Sequence, residues 1–133
     1  MANVLYPKFK ENLLLGNINL TTDTVKVALV DTGTYTYSAT HANVGSLSGV
    51  VGTPQVVDSI TVTNGIVDGD GVLYETVTGN SVEAVVLYVD SGVEATSYLV
   101  AYITDDVIGL PVVPNGGDIQ LTWDTGVNKI FKL

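Results

Sequence analysis

The residues best suited to catalysis are a single histidine and the serines that follow it. His41 precedes segment 45–49, with the sequence GSLSG, and a serine nucleophile needs a histidine base beside it. This segment does not form a nucleophile elbow, because Leu47 occupies the position at which that motif requires serine. A lone histidine in a connection rich in threonine and asparagine is typical of a hydrogen-bonded turn or contact residue. The sequence therefore does not support catalysis by a serine, histidine and aspartate triad.

Four aspartates could supply the paired carboxylates that hydrolysis of a glycosidic bond requires. They are Asp105, Asp106, Asp118 and Asp124. Adjacent residues in a strand point to opposite faces, so Asp105 and Asp106 make a poor pair if this segment is extended. Aspartates at these places are typical of turns and of solvated strand ends. We therefore predict that the protein is not an enzyme and needs no cofactor.

The acidic turn 68–71, with the sequence DGDG, is the one candidate for a bound cation. Val72 stands where a calcium loop would place its third oxygen ligand, and no glutamate follows at the required distance. We interpret the segment as a tight turn and assign no metal site. A structural Ca²⁺ near Asp68 and Asp70 is kept as an alternative.

The aromatic residues could in principle stack on sugar rings. Most of the seven tyrosines, and Trp123, occupy positions that point inward or across to another strand, where aromatic side chains are ordinary core residues. Tyr35 and Tyr37 differ, because they lie in a long connection, and connections often carry contacts. Together with His41 they form a candidate partner-contact loop.

The charges of the chain disfavour two classes of partner. The formal net charge is −9, and the basic residues are Lys8, Lys10, Lys26, Lys129 and Lys132. A surface that follows phosphates, or one that binds anionic lipids, needs several clustered cations. We therefore predict that the protein binds neither nucleic acid nor membranes.

Length and composition predict one soluble domain that spans residues 1–133. The chain is long enough for one hydrophobic core, and 46% of its residues are hydrophobic. It has no apolar run of about 18 residues and no signal-peptide pattern, so we expect a cytoplasmic origin. Without cysteine, its stability must come from packing or from oligomerisation.

The first 16 residues predict an extended apolar arm followed by a short helix. Pro7 suits the first turn of a helix, Phe9 and Leu13 then fall on one face, and Gly16 ends it. The remaining residues, 17–133, form a predicted β core. Its long connection covers about residues 31–55, which are rich in glycine, serine and threonine.

Alternating apolar residues predict strands throughout the core. The segments concerned are 24–30, 60–63, 72–78, 82–89, 98–103, 118–123 and 129–133. Their close spacing and turn dipeptides favour an all-β fold, namely an antiparallel β-sandwich or barrel-like domain. Segments 82–89 and 98–103 are apolar on both faces, so each is either a central strand or a strand that meets another subunit. The last two segments are predicted to pair as a hairpin.

The chain resembles a family of small virion structural proteins of tailed bacteriophages. The segments that carry the resemblance are 5–11 (LYPKFKE), 25–32 (VKVALVDT), 35–38 (YTYS) with His41, 110–112 (LPV), 114–119 (PNGGDI), 123–124 (WD) and 128–133 (NKIFKL). The resemblance implies a decoration or cement protein on the capsid exterior, assembled in the host cytoplasm, whose partner is the major capsid protein. The two strands that are apolar on both faces suggest a homo-oligomer, and a trimer fits the role of a decoration protein. Segment 46–55 departs from the family by being shorter and richer in glycine.

An outer location agrees with the charge, because an acidic body would be repelled by packaged DNA. If the chain ends lie together, their lysines form the only basic patch. We therefore expect a capsid-contact surface that comprises Val4, Leu5, Tyr6, Lys8, Phe9, Lys10, Lys129 and Lys132. The alternative function is a tail- or fibre-associated module that contacts host glycan through Tyr35, Tyr37 and neighbouring aromatic residues.

Overall fold

Short antiparallel strands and one α-helix make up the part of the chain that the computed structural model describes, which is residues 3–104, 107–123, 126 and 129–133. The helix is α1 (Pro7–Leu14). The strands, in chain order, are β1 (Val4–Leu5), β2 (Val25–Val30), β3 (Val50–Val56), β4 (Thr61–Thr63), β5 (Ile66–Asp68), β6 (Val72–Tyr74), β7 (Ala84–Val89), β8 (Leu99–Ile103), β9 (Val107–Ile108), β10 (Ile119–Trp123) and β11 (Phe131–Lys132).

The helix begins and ends where local sequence signals place it. Pro7 is at its start, where a missing backbone N–H costs nothing, and Phe9 is completely buried. Gly16 follows the helix with φ of +78°, a conformation that glycine adopts without strain. The segment before the helix is extended as predicted. It belongs to the fold, because Val4 and Leu5 pair with β8 at one edge of a sheet.

The largest sheet has the order β1-β8-β7-β2-β3, and all its neighbouring strands are antiparallel. Every residue of β7 and β8 is buried. Tyr102 on β8 contacts the rings of Tyr35 and Tyr37, so the long connection covers one face of this sheet. Both apolar strands are therefore central strands whose two faces are buried within this chain.

Two smaller sheets complete the fold, with the orders β6-β10-β9 and β11-β5-β4. The first contacts the large sheet, because the buried Tyr74 hydroxyl on β6 donates a hydrogen bond of 2.6 Å to the Val27 carbonyl on β2. Along β10, Ile119, Leu121 and Trp123 are buried while the residues between them are exposed, as the alternation predicted. The all-β, antiparallel, sandwich-like fold with a short N-terminal helix is confirmed.

The predicted long connection is too long by several residues. Strand β3 runs from Val50 to Val56 and pairs with β2 across a register shift, so the connection ends at Gly49. The sequence pattern did not predict this strand because it contains Gly52 and Pro54, and both residue types are unfavourable inside strands. They are tolerated in an edge strand, because the backbone groups on its outer side need no hydrogen bonds to a neighbouring strand.

The predicted strand 72–78 ends early, at Tyr74. Thr76 has φ of +51°, which is incompatible with a continuing strand. Its backbone N–H instead donates to the Asp118 carboxylate at 3.0 Å. A long-range hydrogen bond to a residue 42 positions away therefore ends a run whose local pattern favours extension.

The predicted final hairpin is wrong in its pairing. Strand β11 pairs with β5, whereas β10 lies between β6 and β9. Both edges of β10 are thus occupied, and the last segment passes to another sheet. Of the predicted turn, Asp124 and Thr125 lie outside the described residues.

Candidate functional site

A cluster of aromatic residues gathers where the long connection folds over the large sheet. We call it the tyrosine cluster, and it consists of Tyr6, Tyr35, Tyr37, His41 and Tyr102. The hydroxyls of Tyr6 and Tyr35 lie 2.8 Å apart, and the Tyr35 hydroxyl lies 2.8 Å from Nδ1 of His41. Either tyrosine hydroxyl can donate in the first bond, and the donor in the second depends on the His41 tautomer. Donation from Tyr6 to Tyr35 and from Tyr35 to His41 is the one direction that uses both hydroxyl hydrogens within the cluster.

Ring contacts hold the rest of the cluster together. The Tyr37 ring lies 5.1 Å from that of Tyr6 and 5.6 Å from that of Tyr102, measured between centroids. Tyr35 and Tyr102 are 6.0 Å apart. Aromatic pairs at these separations and tilted angles are favourable beyond the area that they bury. The cluster therefore fixes the connection against β8.

Burial controls the ionisation of these phenols. It raises the pKa of Tyr6 far above the ordinary value of 10.0, and the hydrogen bond with Tyr35 raises it further. Burial also raises the pKa of Tyr35, Tyr37 and Tyr102. A phenol that stays protonated is a hydrogen-bond donor and a poor nucleophile, so the cluster is suited to a structural role.

The geometry around His41 does not form a nucleophile and base pair. Its Nδ1 is bonded to Tyr35, and the Ser48 hydroxyl donates to the Thr34 carbonyl at 3.3 Å. Tyr35 is only 2% exposed. The predicted partner-contact loop therefore offers at most Tyr37 and His41, both half-buried, to an outside partner.

A second region, which we call the terminal cleft, lies where α1 meets the last strand. It is an open cleft of about 370 Å³ lined by Leu5, Lys10, Leu13, Leu14, Lys132 and Leu133. Residues three and four apart on a helix share a face, so Leu13 and Leu14 both neighbour Lys10. Leu14 is 87% exposed and Leu133 is 58% exposed. The cleft thus combines exposed leucines with two cations.

An apolar groove adjoins the terminal cleft on the side of the β4–β5 hairpin. We call it the hairpin groove, and it has a volume of about 520 Å³. Its lining includes Leu13, Ile18, Val62, Phe131 and Leu133. Leu13 and Leu133 line both depressions, so the two form one continuous surface.

The structure brings only part of the expected capsid-contact residues to this surface. Leu5, Lys10 and Lys132 line the terminal cleft. Tyr6 and Phe9 are completely buried, which corrects the expectation that they form an exposed contact, although Phe9 is among the residues that line the hairpin groove. Tyr6 is buried in the tyrosine cluster, and the Phe9 ring meets Phe131 edge-on at 5.9 Å.

The other expected contact residues lie beside this surface. Val4 is half-buried in the edge strand β1. Lys8 forms an ion pair of 3.0 Å with Glu11 on the same helix. Lys129 is half-buried and lines neither depression.

Sequence reasoning missed Leu14, Leu133 and the hairpin groove. The signal was the run of three leucines from Leu13 to Leu15, of which only one can lie over the core in a two-turn helix. Leu15 is 67% exposed. The groove itself could not be recognised, because its walls come from three separate segments of the chain.

The acidic candidates do not form a site among the described residues. No three histidine or carboxylate groups there are arranged to hold a metal ion. Asp118 accepts the backbone N–H of Thr76, which is a turn-stabilising role. At the turn 68–71, the Asp70 carbonyl accepts the indole N–H of Trp123 at 2.9 Å. Asp105, Asp106 and Asp124 lie outside the described residues.

Comparison with other proteins adds no family. No protein-family model matches the chain, and no curated protein matches it with significant similarity. Within the described part of the chain, no helix has the length and apolar character needed to cross a membrane.

Proposed function

We propose that the chain is a non-enzymatic structural protein of a tailed-phage virion that decorates the outer surface of the capsid and stabilises it. The resemblance of its terminal segments to small phage virion proteins suggests this role. The terminal cleft is the structural observation that carries it. Exposed leucines and two lysines, Lys10 and Lys132, form an attachment surface on a chain whose net charge is −9.

Exposed apolar surface of this kind supports a role in assembly. Leu14, Leu15 and Leu133 are each more than half exposed, and such patches on small proteins mark contact sites. Lys10 and Lys132 form no ion pair with any residue that the structure describes. Their charges are thus available to the carboxylates of a partner, here the major capsid protein.

The acidic remainder of the molecule favours the outside of the shell. Packaged DNA would repel it, whereas on the exterior it keeps particles dispersed. The protein would assemble onto the shell in the host cytoplasm.

A homotrimer at local threefold positions is proposed from this role. The two-sided apolar strands do not support it, because β7 and β8 are buried within one chain. Sedimentation of the purified protein and of protein released from the shell tests this point. A monomer in both states would contradict the trimer and leave attachment unaffected.

Contact with host glycan from the tail is not favoured by this geometry. Stacking on a sugar needs an exposed ring, and Tyr35 is buried while Tyr37 packs on Tyr6 and Tyr102. The aromatic residues of the connection are engaged with each other.

Electron cryo-microscopy of purified virions, with copy number measured on quantitative gels, tests the proposed function. We expect a regular array of protrusions over the icosahedral shell. Density confined to the tail, or absent from the particle, would contradict the proposal. Rebinding to stripped capsids should fail for the combined variant Lys10→Glu and Lys132→Glu, while Lys129→Glu, which reverses the charge of one lysine outside the cleft, should rebind.

A further inference from the structure

The surface formed by the terminal cleft and the hairpin groove has the chemistry of a peptide-binding site. The two depressions have volumes of about 370 and 520 Å³ and are continuous through Leu13 and Leu133. Their lining is mainly apolar, and the two cations stand only in the terminal cleft. An occupant must therefore be apolar along its length and acidic towards one end.

We propose that this surface binds one linear segment of another protein, in which apolar side chains enter the hairpin groove and adjacent carboxylates meet Lys10 and Lys132. The inference rests on the proposed function for the identity of the partner, which would be the shell protein. The recognition chemistry itself rests on the surface alone.

A second copy of this chain fits the surface poorly. A twofold contact would bring Lys10 and Lys132 of one copy against the same lysines of the other, and like charges at an interface are unfavourable.

A membrane also fits poorly. Recognition of anionic lipid needs about four to eight clustered cations, whereas two line the cleft. The acidic body would be repelled by the same lipids. A carboxylate-bearing protein segment satisfies both lysines and needs no further cations.

Selection of random linear peptides displayed against the full-length protein tests this inference without assuming the partner. We expect the enriched peptides to share leucine-like residues followed by aspartate or glutamate. Enriched peptides that are basic, or that lack acidic residues, would overturn the proposal, as would failure to enrich any sequence.

Variants of the protein show where an enriched peptide binds, when the affinity for a fluorescently labelled copy of that peptide is measured for each variant. Val62→Ser, in the wall of the hairpin groove, should weaken it about tenfold, as expected for the loss of an apolar anchor, and the combined Lys10→Glu and Lys132→Glu variant should weaken it similarly. Changing the aspartates of the peptide to lysine should restore binding to the charge-reversed variant. Val93→Ser alters an exposed apolar side chain elsewhere, 59% exposed, and should bind normally. Equal binding by all variants would overturn the site.

Two further measurements distinguish the other occupants. Vesicles of phosphatidylcholine and phosphatidylglycerol should not bind the protein, and self-association should not change on charge reversal. Either effect, if found, would assign the surface to a lipid or to a second copy and overturn the proposal.

The fate of the proposed function can be separated from that of this inference. If virion imaging finds the protein away from the shell while acidic apolar peptides still bind the surface, only the capsid role fails. If the protein decorates the shell but no such peptide binds, only the peptide recognition fails.

Discussion

The tyrosine cluster and the terminal cleft begin at neighbouring residues, but their side chains differ in how many partners they find within the chain. Leu5 lines the cleft and Tyr6 belongs to the cluster, because successive residues of an extended segment point to opposite sides. On the cluster side, hydroxyls and rings find partners within the chain. On the cleft side, leucines remain exposed, and Lys10 and Lys132 have no ionic partner among the described residues.

This difference separates structural from interacting residues more reliably than residue type does. Aromatic residues in a long connection suggest contact with a partner. Here they form hydrogen bonds and ring contacts within the chain, and these contacts hold the connection in place. Leucines on a helix suggest core, yet Leu14 and Leu15 extend away from it. Exposed apolar side chains and charged groups without an ionic partner indicate where binding of another protein can gain free energy.

The largest expected effect compares two helix residues. Phe9→Ala should lower the free energy of unfolding by about 3–5 kcal/mol, because it empties a fully buried position. Leu14→Ala should change it by less than about 0.5 kcal/mol, since that side chain is exposed. Urea unfolding followed by the fluorescence of Trp123 measures both. Equal losses would show that the two sides of the helix do not differ.

Alkaline pH should destabilise the fold through its buried phenols, because burial raises the pKa of Tyr6 in the tyrosine cluster and of Tyr74 on β6. The Tyr6 phenol has a pKa well above its ordinary value of 10.0 when the protein is folded. Its contribution to stability is therefore complete below pH 10.0, the pKa of the unfolded phenol, and is lost as the pH rises above that value. The loss is about 1.4 kcal/mol for each pH unit and each such phenol. Tyrosinate absorbance and circular dichroism, recorded together, should show that Tyr6 ionises only on unfolding. Full ionisation of all tyrosines in a still-folded protein would contradict burial of this phenol.

Removing one hydroxyl should break the hydrogen-bonded chain of the cluster. Tyr35→Phe deprives both Tyr6 and His41 of their partner and should cost about 1–3 kcal/mol of unfolding free energy. Tyr37→Phe is the matched control, because Tyr37 contributes ring contacts but no hydrogen bond in the described structure. A double-mutant cycle with Tyr6→Phe should give a coupling energy. Additive losses would mean that the hydroxyls act independently.

The smallest expected effect on stability concerns Lys26, which has an ionic partner, in comparison with Lys10, which has none among the described residues. Lys26 and Asp90 form an ion pair of 2.8 Å with side chains 29% and 26% exposed, so Asp90→Asn should cost about 1 kcal/mol or less. Because the hydrogen bond from Lys26 lowers the pKa of Asp90 below 3.8, this stability is present above about pH 4 and is lost as pH falls through the lowered pKa.

Acid unfolding curves of the wild type and Asp90→Asn test this pair. The variant should lose less stability than the wild type between neutral and acidic pH. Lys10→Gln serves as the control and should leave the acid limb unchanged, because Lys10 has no carboxylate partner among the described residues. Identical pH profiles for the wild type and Asp90→Asn would show that the ion pair contributes nothing.

Several elements could be predicted because their signals are local. Pro7 and Gly16 bound the helix, and the apolar alternation around Leu121 identifies β10. Asn64 and Gly65, with φ of +54° and +78°, form the turn that their dipeptide predicts between β4 and β5. In each case the residues that determine the structure lie within a few positions of it.

Other features depended on residues far apart in the chain. Strand β11 pairs with β5 because β10 already has partners on both edges, and no pattern within either segment encodes that competition. Strand β3 forms despite Gly52 and Pro54, because β2 offers it an edge. Of the expected contact residues, burial removed Tyr6, Phe9 and Tyr35 from the surface.

The sequence by itself determined the all-β class, the short helix, the two apolar strands and the acidic charge, because composition and periodicity act locally and additively. Only the tertiary structure decided which aromatic residues are enclosed and which leucines and lysines face outward. That choice depends on which segments cover each face of the sheet, and the covering segments are brought together by long-range packing.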